Sequence, residues 1–150
     1  MEAGAQVLQL FESWGEAVAD CLVEQAVYRP THAIVQAMKI SYPQVPIIGF
    51  PRGFGEKTQE YQQKTTVDGI SLDSRISLEW VKKNFKGNVV LQGGIDPQAL
   101  VVGGDILRQE VERYRTLEAH GPYIFNLGHG IVPETPIDHV ADFIRYVKGA

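Results

Sequence analysis

The stretch Tyr123-Ile124-Phe125-Asn126-Leu127-Gly128-His129-Gly130-Ile131 decides the fold. It begins as a short apolar run of strand type and ends in Gly128-His129-Gly130, a histidine between two residues able to adopt positive φ. Pro133-Glu134-Thr135-Pro136 then stops the extended chain and opens a helix. Thr135 is the expected N-cap, Pro136 the first helical residue, and Asp138 stands three after the cap, close to a capping box. A strand that delivers a titratable side chain at its C-terminal tip, just ahead of a helix, is how α/β enzymes build active sites. A histidine in a tight turn, bonded to backbone, is the other reading of the same residues.

Working outward, four more strand–helix units precede this one. Residues 7–11 read as a buried strand and 12–15 as the loop after it. Arg29-Pro30 is expected to open a helix whose inward face carries Ala33, Ile34, Ala37 and Met38. Residues 45–50 form the second strand, followed by the loop 51–55 and helix-like sequence to about Lys64. The third strand, 68–72, ends at Asp73. Ser77 then caps a helix that turns Leu78, Val81 and Phe85 inward and closes at Gly87. Residues 88–92 are the fourth strand, ending in Gly93-Gly94-Ile95-Asp96-Pro97. The helix from 104 to 120 presents Leu107, Val111 and Tyr114 on one side and is stopped by Gly121-Pro122. The last helix is expected to bury Ile137, Val140, Ala141, Ile144 and Val147.

Alternating strands and helices mean an α/β fold with a parallel sheet and right-handed crossovers. Five units of about 30 residues equal five-eighths of a (β/α)₈ barrel, or a complete small doubly wound sheet. Periodicity alone leaves both open. No composition shift divides the 150 residues, so residues 1–150 read as a single portion with no internal boundary. The chain also opens abruptly: Met1 to Gln6 lead straight into an apolar strand, which suggests a part of something longer.

A net charge of −4 without any Lys/Arg run gives no nucleic-acid or membrane surface. No apolar run is long enough to span a bilayer, and no signal peptide opens the chain. Cys21 is the only cysteine, which excludes an internal disulfide and suits a reducing, cytoplasmic setting.

The strands' C-terminal ends share one face, and on it fall Phe11, Ser13, Phe50, Arg52, Asp73, Gln92, Asp96 and His129. Each has a plain alternative: Ser13, Asp73 and Asp96 as turn or cap residues, Phe11 as core, Arg52 as a solvated loop charge. Ser13 with His129 lacks the Gly-x-Ser-x-Gly elbow of a nucleophile. The four histidines do not have the spacing of a zinc site, so no metal is expected. No Gly-x-Gly-x-x-Gly follows the first strand. Gly93-Gly94 and Gly128 could instead bind phosphate through backbone N–H groups.

Four segments, 4–13, 48–53, 91–97 and 125–131, together with the Pro-Glu-Thr-Pro that follows, resemble segments of uroporphyrinogen decarboxylase, in the same order. The resemblance covers essentially the whole chain but only the C-terminal part of that enzyme. It implies a (β/α)₈ (TIM) barrel of which these units are strands four to eight. It also implies the stepwise decarboxylation of the four acetate side chains of uroporphyrinogen III to give coproporphyrinogen III, in haem biosynthesis. No cofactor is implied, and a homodimer is. Residue by residue, Phe11 falls where the family lines its substrate pocket, Ser13 on a substrate-contacting serine, and His129 on the histidine that bonds a substrate carboxylate. Arg52 is a weaker candidate for the same binding role. The family's essential aspartate, pocket tyrosine and N-terminal arginine motif have no counterpart here, so the catalytic residue is unknown and this chain alone is expected to be inactive. Gly94 stands where the family usually has Asn. The zinc-dependent methyltransferases that share the barrel carry a His-x-Cys motif absent here. A phosphate-binding barrel fragment and a non-enzymatic half-barrel acting by association are the competing readings.

Overall fold

In the computed structural model, which describes residues 1–87 and 89–149, five strands form one parallel sheet in the order β1-β2-β3-β4-β5. They are β1 (Leu8–Glu12), β2 (Ile47–Pro51), β3 (Gly69–Leu72), β4 (Val90–Gly93) and β5 (Tyr123–Ile124). A doubly wound sheet reverses its strand order at a switch point so that helices cover both faces. Here the order never reverses. Right-handed crossovers then place every helix on the same side, the winding of a barrel wall. The expected fourth strand began at Asn88, which lies outside the described residues.

The sheet is also curved. The Gln92 amide nitrogen on β4 reaches the Gln9 amide oxygen on β1 at 3.1 Å, although β2 and β3 lie between them. Adjacent strands are about 4.8 Å apart, so a flat sheet would hold β1 and β4 about 14 Å apart. Side chains from both strands meet only because the sheet is concave on this face.

The convex face is the core side. Ile47, Ile70, Leu72 and Leu91 project from the sheet into one cluster with Tyr61, Val81, Phe85, Leu100, Leu107, Val111 and Tyr114. Those partners come from α3 (Lys57–Thr65), α4 (Leu78–Asn84) with its C-cap residue Phe85, α5 (Pro97–Val102) and α6 (Gly104–Arg115). The inward residues expected for α4 and α6 are all buried. Ser77 caps α4 by accepting from the Trp80 N–H, and Asp96 caps α5 by accepting from the Gln98 N–H at 2.9 Å. Pro97 then begins α5.

The first and last helices depart from expectation. Helical structure does not open at Arg29-Pro30. It runs from α1 (Asp20–Val23) through a π turn (Glu24–Tyr28) into α2 (Arg29–Ser41). Pro30 supplies no N–H and its ring crowds the preceding turn, and the wider π turn lies directly ahead of it. The buried stripe is Val23, Val27, Tyr28 and Val35, whereas Ala33, Ile34 and Ala37 are exposed and Met38 is half-buried. In α7 (Ile137–Lys148) no residue is fully buried. Val140, Phe143, Tyr146 and Val147 pack against the core, but Ile137, Ala141 and Ile144 face outward. Thr135 is not the cap either: Pro136 holds that position, and the buried Thr135 hydroxyl has no partner among the described residues. Among the described residues no helix is long and apolar enough to cross a membrane.

Candidate functional site

Along β1 and β3, alternate residues turn away from the helices, so Gln9, Phe11 and Ser71 project onto the concave face. At its C-terminal end this face holds a cavity of about 390 Å³. Gln9, Phe11 and Ser13 line it from β1 and its loop, Phe50 from β2, Ser71 from β3, and Asn126, Leu127, His129 and Gly130 from the segment after β5. Phe11, Ser13 and His129, the three that the family resemblance assigns to substrate binding, therefore meet at one cavity although 118 positions separate Phe11 from His129.

Local structure explains how each arrives. Phe11 pairs in register with Phe50 and its ring meets the Phe50 ring edge-on, centroids 5.9 Å apart. The His129 ring approaches the other side of the site, 6.5 Å from Phe50. Its segment stays attached to the sheet beyond β5: Leu127 bridges Ile95, and the Gly128 N–H donates to the Ile95 carbonyl at 2.7 Å. Neither Gly128 nor Gly130 uses a positive φ. Gly128 is needed for another reason, because a Cβ there would lie 2.4 Å from the Ser74 nitrogen. The strand tip bearing His129 thus packs directly on the loop after β3. His129 itself is exposed, and it is the sole titratable side chain lining the cavity among the described residues.

The remaining candidates do structural work. Arg52 does not line the cavity. Its guanidinium donates to the Ser13 carbonyl at 3.1 Å and lies 3.8 Å from the Glu16 carboxylate, so it fixes the loop that carries Ser13. Asp73 accepts from the backbone N–H groups of Gly53 and Arg75, at 2.9 and 2.8 Å, and ties two strand-end loops together. Asp96 is the α5 cap described above. Gln92 lies beneath the cavity, 6% exposed.

The Gly93-Gly94 loop is closed rather than open. The Tyr123 hydroxyl donates to the Gly93 carbonyl at 2.7 Å and the Tyr114 hydroxyl to the Gly94 carbonyl at 2.6 Å. Burial pushes the Tyr114 hydroxyl up to about 12, and burial pushes Tyr123 higher still. Gly94 has φ +102°, and a Cβ on it would stand 2.5 Å from the Tyr114 ring. In this chain that position takes glycine.

Residues 1–150 match the family described as uroporphyrinogen decarboxylase (URO-D) over their whole length. The chain belongs to the uroporphyrinogen decarboxylase family. Similar curated proteins agree. The uroporphyrinogen decarboxylase of Sphingopyxis alaskensis is 40% identical over 149 residues, 99% of this chain and 44% of that protein. Those of Mesorhizobium japonicum and Rhodospirillum rubrum are 42% and 39% identical, covering 43% and 42% of their own lengths. The chain spans less than half the length of the curated relatives it matches.

Sequence reasoning missed Gln9, Ser71 and Asn126 as lining residues. The signal was present: Gln9 and Ser71 are polar residues inside apolar strands, at the alternate positions that leave the core face.

Proposed function

We propose that this chain forms the C-terminal part of a uroporphyrinogen decarboxylase, its strands being the fourth to eighth of a (β/α)₈ barrel. The observation carrying the proposal is the convergence of Phe11, Ser13 and His129 on one cavity at the C-terminal end of the sheet. The family resemblance assigns each of them to substrate binding. In the proposed reaction a pyrrole α-carbon is protonated, the acetate C–CO₂⁻ bond breaks, and its electron pair flows into the ring. CO₂ leaves, the resulting methylene is protonated to a methyl, and the proton added at the α-carbon is released to restore the pyrrole, four times over. The protein's share is to hold a polyanionic macrocycle in place and stabilise the cationic ring that forms.

In that scheme Ser13 and His129 donate hydrogen bonds to substrate carboxylates, and Phe11 presents an exposed ring against the macrocycle. Arg52 acts through Ser13 by holding its loop. The proton-transfer residue lies outside these 150 residues, and the chain alone does not turn over. The tetrapyrrole is the partner, no cofactor takes part, and a cytoplasmic homodimer completes the proposal. Titrating the purified chain with fluorescent uroporphyrin III tests the binding reading. Saturable binding weakened about tenfold by His129→Ala is the expected result, and no binding overturns it. Incubation with uroporphyrinogen, followed chromatographically, should yield no coproporphyrinogen. A phosphate site at Gly93 and Gly94 is not favoured, because both glycines are buried and the Tyr114 ring packs directly on Gly94.

A further inference from the structure

The cavity has a polarity that its lining residues do not set by themselves. An amide nitrogen carries two hydrogens. Those of Gln92 point to the Gln9 amide oxygen at 3.1 Å and to the Ser71 hydroxyl oxygen at 3.3 Å. Gln92 is 6% exposed, so both donors are spent inside the protein. Two consequences follow for the surface above it. The Gln9 oxygen is occupied, which leaves its NH₂ group facing elsewhere, and that group has no partner among the described residues. The Ser71 oxygen is an acceptor, so its own O–H proton must point away from Gln92, and Ser71 lines the cavity. Asn126 repeats the pattern: its amide oxygen accepts from the Leu127 N–H at 2.8 Å, and its NH₂ is left for the cavity.

We infer that Gln9, Ser71 and Asn126 form a carboxylate-binding subsite beside His129, with Gln92 as the residue that sets its donor polarity. The subsite rests on the proposed tetrapyrrole reading and names where one of its carboxylates sits. The side-chain groups left free at Gln9 and Asn126 are NH₂ donors, and the Ser71 hydroxyl turns its proton away from Gln92. This arrangement suits a group that only accepts, and an ionised carboxylate is such a group. No Asp or Glu lines the cavity to oppose it among the described residues. Neutral donors also hold an anion without the mutual repulsion and desolvation that a cluster of buried cations would carry. Gln92 is a positioning residue here: it touches no ligand and acts through the orientation of two neighbours.

Uroporphyrin III titration of the 150-residue chain, read by fluorescence, tests this. Gln9→Glu keeps the oxygen that Gln92 needs and replaces the cavity donor by an anion; a Kd at least about tenfold weaker is expected. Ser71→Ala should weaken binding about threefold to tenfold. Gln92→Glu removes the two donors and leaves acceptors in their place, so the Gln9 NH₂ and Ser71 O–H turn inward. Binding should then fall although no lining residue has changed. Circular dichroism and urea unfolding show which variants are folded, and the half-buried Gln9→Glu carries the test should the buried charge of Gln92→Glu unfold the chain. Weakening by His129→Ala together with unchanged binding by folded Gln9→Glu and Ser71→Ala overturns the subsite and leaves the function standing. No binding by the unaltered chain overturns both.

Discussion

Ser71 and Leu72 are consecutive residues of β3, both almost wholly buried, and their side chains leave the sheet in opposite directions. Leu72 enters the helix-covered core. Ser71 meets Gln92 and the cavity of the concave face. The contrast extends across the sheet. Ile47, Ile70 and Leu91 share the side of Leu72, while Gln9, Phe11 and Phe50 share the side of Ser71. One face is packed for stability. The other trades packing for hydrogen-bond donors and the exposed ring of Phe11, as expected of a surface that binds a ligand.

If that division holds, equal truncations should cost unequally. The largest effect belongs to Leu72→Ala, which empties a fully buried position and should lower stability by about 3 kcal/mol in urea unfolding. A loss below about 1 kcal/mol would break the comparison. Next, counted per residue, comes the response of the core side to alkali. Burial pushes the Tyr61 and Tyr114 hydroxyls up to about 12 from the usual 10, so the folded state holds protons that the unfolded state releases between those values. Their stabilisation is complete below pH 10 and is lost as pH rises through 12, by about 2–3 kcal/mol per tyrosine. Urea midpoints at pH 8 and 11.5 should record the fall, and Tyr114→Phe should make it shallower. The smallest effect is Phe11→Ala on the concave face. Its ring is 67% exposed and keeps one edge-on contact with Phe50, so a loss of about 1 kcal/mol is expected, with a larger relative loss in porphyrin binding.

The ends of the chain sharpen the same lesson. Helical periodicity identified an apolar face on the first and last helices, yet Ile34 is 49% exposed and Ile137 85%. Periodicity reports which residues would be buried by a neighbour; it does not supply the neighbour. In α4 and α6 the neighbours are present, and the expected stripes are buried as read. The glycines teach a related point. Flanking His129, Gly128 and Gly130 offer positive φ that neither uses, and Gly128 is required instead by the closeness of Ser74, a contact between residues 54 positions apart.

Local chemistry settled much of this protein: parallel βα units, the caps at Ser77 and Asp96, and a titratable histidine at a strand tip are properties of neighbouring residues and short periods. The candidacy of Phe11, Ser13 and His129 was also legible, because polar and aromatic residues at strand ends must share one face of a parallel sheet. Tertiary structure alone decided the rest. Strand order chose a barrel wall over a doubly wound sheet, and curvature brought Gln92 to Gln9 across two intervening strands. That same curvature changed what Gly128-His129-Gly130 means, from a turn at the end of one strand to one wall of a cavity whose opposite wall begins at Gln9. Hydrogen-bond polarity across such distances depends on which donors are already spent, and no periodicity in a sequence records that.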